Sequence, residues 1–298
     1  MDCFPPSRPV SAGAKLALVA PAGPFEREAF DAGVAWLRER YEVTFDEGVY
    51  SKSGYFAGDD NRRLQELITA LTDPSVDAIV CARGGYGATR LLPNLDVELV
   101  SSVNKTLVGF SDVTALHSLW ARAGVRSIHA PMVAAIGNAS GEVQDKWLAA
   151  LENTGDLSEK LYLLNPISNP AATSVKGRFF GGNLAVLGAL NGTPFVPPLD
   201  DGGILFLEDV GERPYRIDRM LTTLGQAGWF KNLDGIVLGS FSEGDPGADG
   251  VSVEDVFRDH FGDFEIPVLH GLSAGHISDN EPLTFGAEAR IDGSSLYL

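Results

Sequence analysis

The sequence has few cysteines and few basic residues. Only Cys3 and Cys81 occur among its 298 residues, so neither a disulfide framework nor a thiolate metal site is indicated. Lysine and arginine number 23 against 40 aspartates and glutamates, which gives a net charge of −17. A surface of this sign repels phosphate backbones and anionic lipids. We therefore expect no nucleic-acid partner and no membrane-surface partner.

The sequence also contains no long apolar segment. The apolar run at residues 16–20 has the length of a strand and not that of a signal-peptide core. No stretch approaches the roughly 18 apolar residues of a membrane-spanning helix. These features predict a cytoplasmic protein. Because 44% of the residues are hydrophobic, the chain has enough apolar surface to bury a substantial core.

The first half of the chain alternates short apolar runs with amphipathic segments. Strands are predicted for five stretches: 15–23, 43–47, 77–82, 106–110 and 126–132. Helices are predicted for three stretches that alternate with them: 25–41, 59–71 and 111–124. Strands that alternate with helices of this length are typical of a parallel sheet covered on both faces. In that architecture ligands bind at the carboxyl ends of the strands.

The periodicity lapses between residues 155 and 172. This region carries the sequence LNPISNPAATS, whose two Asn-Pro pairs favour turns and extended chain. We predict a linker over 155–172. It would join an N-terminal α/β domain (1–154) to a smaller C-terminal α+β domain (173–298) that is rich in short strands. Two domains agree with the usual size of about 150 residues per domain.

Ser111 stands where a predicted strand meets a predicted helix. The surrounding sequence, residues 105–117, reads KTLVGFSDVTALH. In one interpretation the serine caps the helix, because a side-chain oxygen satisfies free backbone N–H groups there. In the other it is a nucleophile held on a strand-to-helix turn. The local sequence does not distinguish the two.

A second candidate site is the glycine-rich turn CARGGYGATR at residues 81–90. It is not a dinucleotide fingerprint, because Arg90 stands where the third glycine or an alanine belongs, and it lacks the Gly-Lys-Ser/Thr ending of a phosphate loop. Glycines allow backbone N–H groups to approach a ligand closely. The turn is therefore either a simple tight turn or a donor site for a developing oxyanion.

His276 and Glu208 are the histidine and the acid that stand out. His276 lies in the loop GLSAGHISDNEP (271–282), and loops on a rigid scaffold often carry catalytic groups. Glu208 closes the apolar run ILFL, and a buried carboxylate there needs a partner. No HExxH motif or comparable spacing occurs, so no metal site is predicted.

The other histidines and nearby acids have plainer interpretations. His117 is predicted to point away from Ser111 along the same helix, and His129 to line the same strand-end crevice. The remaining residues of this kind are predicted to be ordinary surface, core, solvated or salt-bridged groups: His260, His270, Asp209, Glu212 and Asp218.

Ser111, Glu208 and His276 occur in the order Ser…Asp/Glu…His that serine hydrolases of the α/β type use. With these residues in place, the sequence resembles the LD-carboxypeptidase family of serine peptidases along nearly its whole length. The resemblance is carried by seven separate stretches: VAPAG (19–23), ARGGYGATRLL (82–92), LVGFSDVTALH (107–117), HAPM (129–132), GGNL (181–184), LEDVGERPYRIDRML (207–221) and AGHISDNEPLTFG (274–286).

The resemblance implies a fold and a catalytic triad. The fold would be an N-terminal parallel-sheet domain and a smaller C-terminal domain, with the active site in the cleft between them. Ser111 would be the nucleophile, His276 the base, and Glu208 the acid that orients the base. The chain departs from the family pattern after the base, where it has Ile277 and Phe285-Gly286 instead of smaller residues and a proline.

The resemblance also suggests which groups contact the substrate. The oxyanion donors would be the backbone N–H groups of Gly85 and Asp112. Arg83, with Gly84, would bind the terminal carboxylate of the substrate, and a structural salt bridge is the alternative role for Arg83.

The implied activity is cleavage of the L,D-peptide bond that releases the terminal D-alanine from murein tetrapeptide. It would belong to peptidoglycan recycling, would need no cofactor or metal, and suggests a homodimer. One alternative is an immunity-type peptidase of the same family that cleaves a peptide–nucleotide antibiotic, which needs an aromatic residue to stack on the nucleotide. Between Ser111 and the second domain the only tryptophans are Trp120 and Trp147, both on predicted helices. The other alternative is a non-catalytic two-domain ligand-binding protein in which Ser111 merely caps.

Overall fold

The computed structural model describes residues 4–152, 160–169 and 174–298. Cys3 and much of the predicted linker lie outside these ranges. The strands in chain order are β1 (Lys15–Val19), β2 (Glu42–Thr44), β3 (Ala78–Cys81), β4 (Thr106–Gly109), β5 (Ser127–His129), β6 (Leu161–Leu163), β7 (Asn165–Pro166), β8 (Ser174–Asn183), β9 (Ile204–Val210), β10 (Gly235–Ser242), β11 (Val268–His270), β12 (Leu283–Phe285), β13 (Glu288–Asp292) and β14 (Ser295–Tyr297). The helices are α1 (Arg27–Arg38), α2 (Asp60–Thr72), α3 (Val97–Val103), α4 (Thr114–Arg122), α5 (Val133–Ile136), α6 (Gly141–Glu152), α7 (Leu184–Leu190), α8 (Pro214–Gln226) and α9 (Val253–Phe261).

The first sheet has six strands in the order β12-β5-β4-β3-β1-β2. Strands β1 to β5 pair in parallel, and β12 runs antiparallel to β5. Every residue of β3 and β4 is buried, because helices cover both faces of a sheet of this kind. The predicted parallel sheet is confirmed.

The predicted helices of the first half are present with small changes at their ends. The apolar residues Phe30, Val34 and Leu37 of α1 are buried, as the helical spacing predicts. Helix α2 begins after Asp59, whose side chain accepts a hydrogen bond from Arg62 N at 2.8 Å. This bond satisfies one of the backbone N–H groups that a helix leaves free at its start.

The second sheet has eight strands in the order β6-β14-β13-β8-β9-β10-β11-β7. Its centre, from β8 to β11, is parallel, and the outer strands pair antiparallel. The carboxyl ends of β8, β9 and β10 therefore meet at one edge. This is the strand-rich C-terminal domain that the sequence predicts.

Two short segments lie in sheets that the domain division does not predict. Residues 283–285, near the end of the chain, form the edge strand β12 of the first sheet. Strands β6 and β7, which fall within the predicted linker, pair with β14 and β11. The described part of that region thus forms the two opposite edge strands of the second sheet. Pro166 is tolerated because β7 is an edge strand, where a missing N–H breaks no bond within the sheet.

Helix α4 lies between the two domains. Its residues from Thr114 to Ala121 are all buried, since the first sheet covers one side and β8 and α7 cover the other. The buried polar side chains of α4, those of Thr114, His117 and Ser118, all form hydrogen bonds, as buried polar groups require. None of the helices in the described ranges is both long and apolar enough to cross a bilayer.

Candidate active site

Ser111 occupies a strained turn at the carboxyl end of β4. A 3₁₀ turn, Ser111–Val113, joins β4 to α4. The φ angle of Ser111 is 62°, in the left-handed region that costs a non-glycine residue about 1–3 kcal/mol. The residue before the turn is Phe110, and no side-chain hydrogen bond caps the turn. The cap interpretation of Ser111 is therefore wrong, and the geometry is that of a nucleophile elbow.

The glycine turn packs directly against this elbow. A Cβ on Gly84 would lie 2.8 Å from Ser111 Cβ and 2.9 Å from Ser111 Oγ, so only glycine fits. The buried Asp112 carboxylate accepts a hydrogen bond from Ala88 N at 2.8 Å. Burial raises the pKa of Asp112 to about 6, and the hydrogen bonds from the backbone partly offset this rise. The turn and the elbow therefore form one rigid unit.

Two backbone N–H groups of this unit are free to bind an oxygen atom. Within the described ranges, the N–H groups of Gly85 and Asp112 donate to no other residue. A Cβ on Gly84 would lie 3.4 Å from Asp112 N, so the two segments are adjacent. Two free N–H groups beside a hydroxyl are what stabilisation of an oxyanion requires.

Arg83 lies on the exposed side of the same turn. Its Nη1 donates to the carbonyl oxygen of Pro24 at 2.6 Å, and Gly23 N donates to Gly84 O at 2.9 Å. These bonds hold the loop after β1 against the turn. Among the described residues Arg83 forms no ion pair.

His276 and Glu208 are joined by a hydrogen bond between Nδ1 and Oε2 of 2.8 Å. Glu208 lies near the end of β9 and is fully buried, which confirms the expectation that this carboxylate needs a partner. A Cβ on Gly275 would lie 2.6 Å from Glu208 Oε2. Because that position has no side chain, the loop carrying His276 passes close enough for the imidazole to reach the carboxylate.

The segment that carries Ser111 contacts His276, which comes from the other domain. The ring of Phe110, next to Ser111 in sequence, lies 4.9 Å from the His276 ring between centroids. No hydrogen bond joins Ser111 Oγ to His276 Nε2 within the described ranges. Such catalytic hydrogen bonds are often long in free enzymes and tighten with substrate.

His117 and His129 lie elsewhere than predicted. His117 does not point away from the elbow, because its Nε2 lies 2.8 Å from Gly109 O and its Nδ1 lies 2.8 Å from Ser127 Oγ. Burial lowers the pKa of His117 to about 4, so a neutral imidazole holds the strand end that precedes the nucleophile. His129 is fully buried beneath Phe110 and does not line an open crevice.

Asp209 is a supporting residue that sequence analysis missed. It is predicted to be solvated or salt-bridged, but it is buried and accepts hydrogen bonds from Asn183 Nδ2 and Ala185 N, both at 2.9 Å. Burial raises its pKa to about 6. The carboxylate fixes the start of α7 beside Glu208. The apolar run before Glu208 was the signal that could have predicted this burial. It belongs to β9, which is buried from Ile204 to Asp209.

No group of three or more histidine, cysteine or acidic side chains suited to a metal ion occurs in the described part of the chain. The groups described above are a hydroxyl, an imidazole, a carboxylate and backbone N–H groups. Those groups are the complete set for acyl transfer through a serine.

Comparison with known proteins places both domains in one family. Residues 16–130 match the model of the LD-carboxypeptidase N-terminal domain, and residues 176–291 match that of the C-terminal domain. The two matches together span most of the chain.

Individual relatives agree with this match. The murein tetrapeptide carboxypeptidase of Pseudomonas aeruginosa is 33% identical over 291 residues, which cover 95% of this chain and 94% of the relative. The crystal structure of muramoyltetrapeptide carboxypeptidase from Oxalobacter formigenes is 30% identical, with a TM-score of 0.84, and the match covers 95% of this chain and 97% of that one. The microcin C7 self-immunity protein MccF of Escherichia coli is 25% identical over 302 residues, covering 92% of this chain and 88% of the relative.

Proposed function

Since this chain belongs to the LD-carboxypeptidase family of serine peptidases, we propose that it releases the terminal D-alanine of a murein tetrapeptide. The bond cleaved joins an L-configured centre to that D-residue. The observation that carries the proposal is the buried Glu208 carboxylate bonded to His276, beside a strained Ser111. The names of the Pseudomonas and Oxalobacter relatives support the substrate.

In the first step, Ser111 Oγ attacks the carbonyl carbon of the scissile bond while His276 Nε2 takes the hydroxyl proton. Glu208 accepts the hydrogen bond from His276 Nδ1–H, which leaves Nε2 unprotonated and ready to act as base. The same carboxylate stabilises the imidazolium that forms. The strain at Ser111 supports this role, because strained residues on a strand-to-helix turn are typical of nucleophiles.

The negative charge on the carbonyl oxygen would be bound by the N–H groups of Gly85 and Asp112. One such donor contributes about 2.7–4 kcal/mol to lowering the barrier in comparable hydrolases. His276 then gives its proton to the amine of D-alanine, which leaves. Water, activated by the same imidazole, hydrolyses the acyl-enzyme and restores Ser111.

Arg83 is the proposed partner of the substrate's terminal carboxylate. One of its nitrogens is bound to Pro24 O, and the other donors of its exposed guanidinium face solvent beside the glycine turn. A guanidinium binds a carboxylate well because its donors match the two oxygens. Gly84 supports this by leaving the space beside Ser111 open.

The setting that fits this reaction is peptidoglycan recycling in the cytoplasm, by a homodimer. The carboxypeptidase relatives support the reaction. The cytoplasmic location is predicted from the sequence, in which no long apolar segment occurs. Neither alternative has comparable support: Trp120 and Trp147 are both buried and unable to stack on a nucleotide, and a ligand-binding protein has no need of a strained serine.

The test is replacement of Ser111 by alanine. We expect Ser111→Ala to lose D-alanine release, measured by mass spectrometry of a defined L,D-linked murein tetrapeptide, while its thermal unfolding stays close to that of the wild type. The all-L isomer of the peptide is the substrate control and should stay intact with both proteins. Undiminished release by Ser111→Ala would remove this serine from the mechanism.

A further inference from the structure

Arg63 is a fully buried cation that the proposed mechanism does not use. It belongs to the first turn of α2, and none of its surface is exposed. Its charge is balanced by Asp60, which accepts a hydrogen bond from Nη2. An arginine is rarely buried to this extent unless its donors meet acceptors. The other acceptors of this guanidinium therefore indicate what its burial achieves.

The guanidinium binds one carbonyl oxygen from each of two loops. Its Nη1 donates to Pro21 O, in the loop after β1, and to Gly87 O of the glycine turn, the second at 2.8 Å. The two loops also meet directly, since Gly23 N donates to Gly84 O at 2.9 Å. A single side chain of α2 thus fixes the glycine turn against the end of β1.

The glycine turn accommodates this guanidinium because residue 87 has no side chain. The φ angle of Gly87 is 138°, and a Cβ there would overlap with Arg63 Nη1 and lie 2.9 Å from Phe56 Cδ1. The Phe56 ring lies against the same guanidinium, with 4.7 Å between its centroid and Arg63 Cζ. The carbonyl group of Gly87 is therefore held toward Arg63 in a closely packed site.

Asp112 holds the next residue of the same turn. Its carboxylate accepts a hydrogen bond from Ala88 N at 2.8 Å. The positive charge of Arg63 opposes the rise in the pKa of Asp112 that burial causes. Among the described residues, the other titratable group that interacts with Asp112 is Cys81 of β3, and burial raises the pKa of that thiol well above its usual range, so it stays neutral. Arg63 therefore favours the ionised form of Asp112.

We propose that Arg63 is a positioning residue, which holds the glycine turn through its bond to Gly87 and its charge beside Asp112 so that Gly85 N–H faces the developing oxyanion. The proposal rests on the proposed function. Gly85 lies two residues before the carbonyl that Arg63 binds, and the second proposed donor is the N–H of Asp112 itself. Arg63 contacts no reacting atom and acts through the turn. An oxyanion donor lowers the barrier only when it is aimed at the position of the oxygen in the transition state.

The experiment measures kcat and KM for D-alanine release by Arg63→Met and Arg63→Lys. Methionine is unbranched and apolar, so it removes the charge and the donors. We expect kcat of Arg63→Met to fall by about 10–100-fold, somewhat less than the loss of one oxyanion donor. KM should stay within about threefold, since the oxyanion forms only in the transition state. Lysine keeps the charge with a shorter reach, so its kcat should lie between those of Arg63→Met and the wild type.

Arg62→Met is the matched control. Arg62 is the neighbour of Arg63 on α2, and its Nη2 donates to Ala20 O at 2.9 Å, also at the end of β1. Within the described ranges it donates to no carbonyl of the glycine turn. Arg62→Met should keep kcat within about threefold of the wild type, with thermal unfolding of every variant followed in parallel. Equal loss of kcat in Arg62→Met and Arg63→Met would show a general effect of α2 packing and overturn the proposal. Should Arg63→Met fail to fold, Arg63→Lys must still lower kcat more than Arg62→Lys does.

The pH dependence of kcat separates the positioning role from a loss of structure. Burial raises the pKa of Asp112 to about 6 in the wild type, and without the charge of Arg63 it rises further. The carboxylate of Arg63→Met then takes up a proton as the pH falls through neutrality, and the turn loses this acceptor. We expect the ratio of kcat at pH 8 to kcat at pH 6 to be about threefold larger in Arg63→Met than in the wild type, and unchanged in Arg63→Lys. Arg63→Met/Asp112→Asn removes the titrating group and should return the ratio to the wild-type value. A wild-type ratio in Arg63→Met would contradict the proposal.

The failure of this inference differs from the failure of the proposed function. Release of D-alanine by the wild type and by folded Arg63→Met with equal kcat overturns the positioning role and leaves the proposed function standing. No release by the folded wild type overturns the proposed function and the positioning role with it.

Discussion

At the scale of single residues, the site depends on a strained backbone conformation and a buried charge, both of which are unfavourable by themselves. Ser111 keeps a φ angle of 62°, which its surroundings stabilise: Gly84 packs on its side chain and the Asp112 carboxylate binds the neighbouring turn. The Glu208 carboxylate is buried, and its hydrogen bond to His276 stabilises it away from solvent. Both features cost free energy in isolation, so the contacts around them must compensate.

Glu208→Gln tests the role of the buried carboxylate. The glutamine carbonyl can still accept from His276 Nδ1–H, but it carries no charge to stabilise the imidazolium, and its amide can favour the wrong tautomer. We expect kcat to fall by about 10²–10⁴-fold, in line with the loss of the orienting acid in other serine hydrolases. The measurement is D-alanine release at saturating peptide, with thermal unfolding followed in parallel.

Glu212→Gln is the matched control, since this residue follows Glu208 closely and lies partly exposed with only a 3.5 Å contact to Arg216. It should keep most of the wild-type kcat. A kcat for Glu208→Gln within twofold of the wild type would show that the carboxylate serves only the fold.

At the scale of secondary-structure elements, the contact between α4 and β8 holds the two domains together at the site. Gly182 near the end of β8 has a φ angle of 136°, and a Cβ there would lie 2.4 Å from Thr114 Oγ1. Thr114 Oγ1 in turn accepts a hydrogen bond from Asn183 N at 3.0 Å. The start of α4, three residues after Ser111, is therefore fixed by a strand of the other domain.

Gly182→Ala should disturb this contact. We expect the free energy of unfolding to fall by about 2–4 kcal/mol, because the new methyl group is strained by its backbone and meets Thr114. Gly192→Ala is the control: its φ angle is 77° but its Cβ would meet nothing within 4 Å, so only the backbone cost of about 1 kcal/mol applies. Urea unfolding measures both, and equal losses would contradict the interdomain role.

At the scale of the whole molecule, the fold buries carboxylates in an already acidic protein. Burial raises the pKa of Glu66 to about 7, and it raises those of Asp112 and Asp209 to about 6. These groups hold their protons more tightly in the folded state than in the unfolded chain. Their contribution to stability is therefore complete below about pH 4 and is lost as the pH rises through 6 and 7.

Glu66→Gln isolates one of these contributions. Between pH 4.5 and 7 the wild type should lose stability that the variant does not, on the order of 3 kcal/mol for a shift of this size. The measurement is urea unfolding across this pH range. Glu98→Gln, at an exposed position of α3, should follow the wild-type curve. A constant difference between Glu66→Gln and the wild type across the range would contradict the expected linkage.

Much of this architecture was predictable because its signals are local. Alternating apolar and amphipathic runs determine the strands of the first sheet and the helices that cover it. The spacing of apolar residues in each element sets which of its faces is buried. The end of each strand follows in the same way, which is why Ser111 and Glu208 can be located at strand ends from the sequence. The order of the three candidate residues along the chain is also a property of the sequence alone. So is the family resemblance to which that order points.

Only the tertiary structure decided which distant groups meet. The resemblance suggested that Glu208 pairs with a histidine 68 residues further along the chain, but no local pattern did. The strain of Ser111 comes from the turn that packs on it, and Asp209 is buried beside α7. Strands 161–163 and 283–285 join sheets whose other members lie far away in sequence. These features depend on contacts between residues that share no local pattern, so no periodicity along the chain records them.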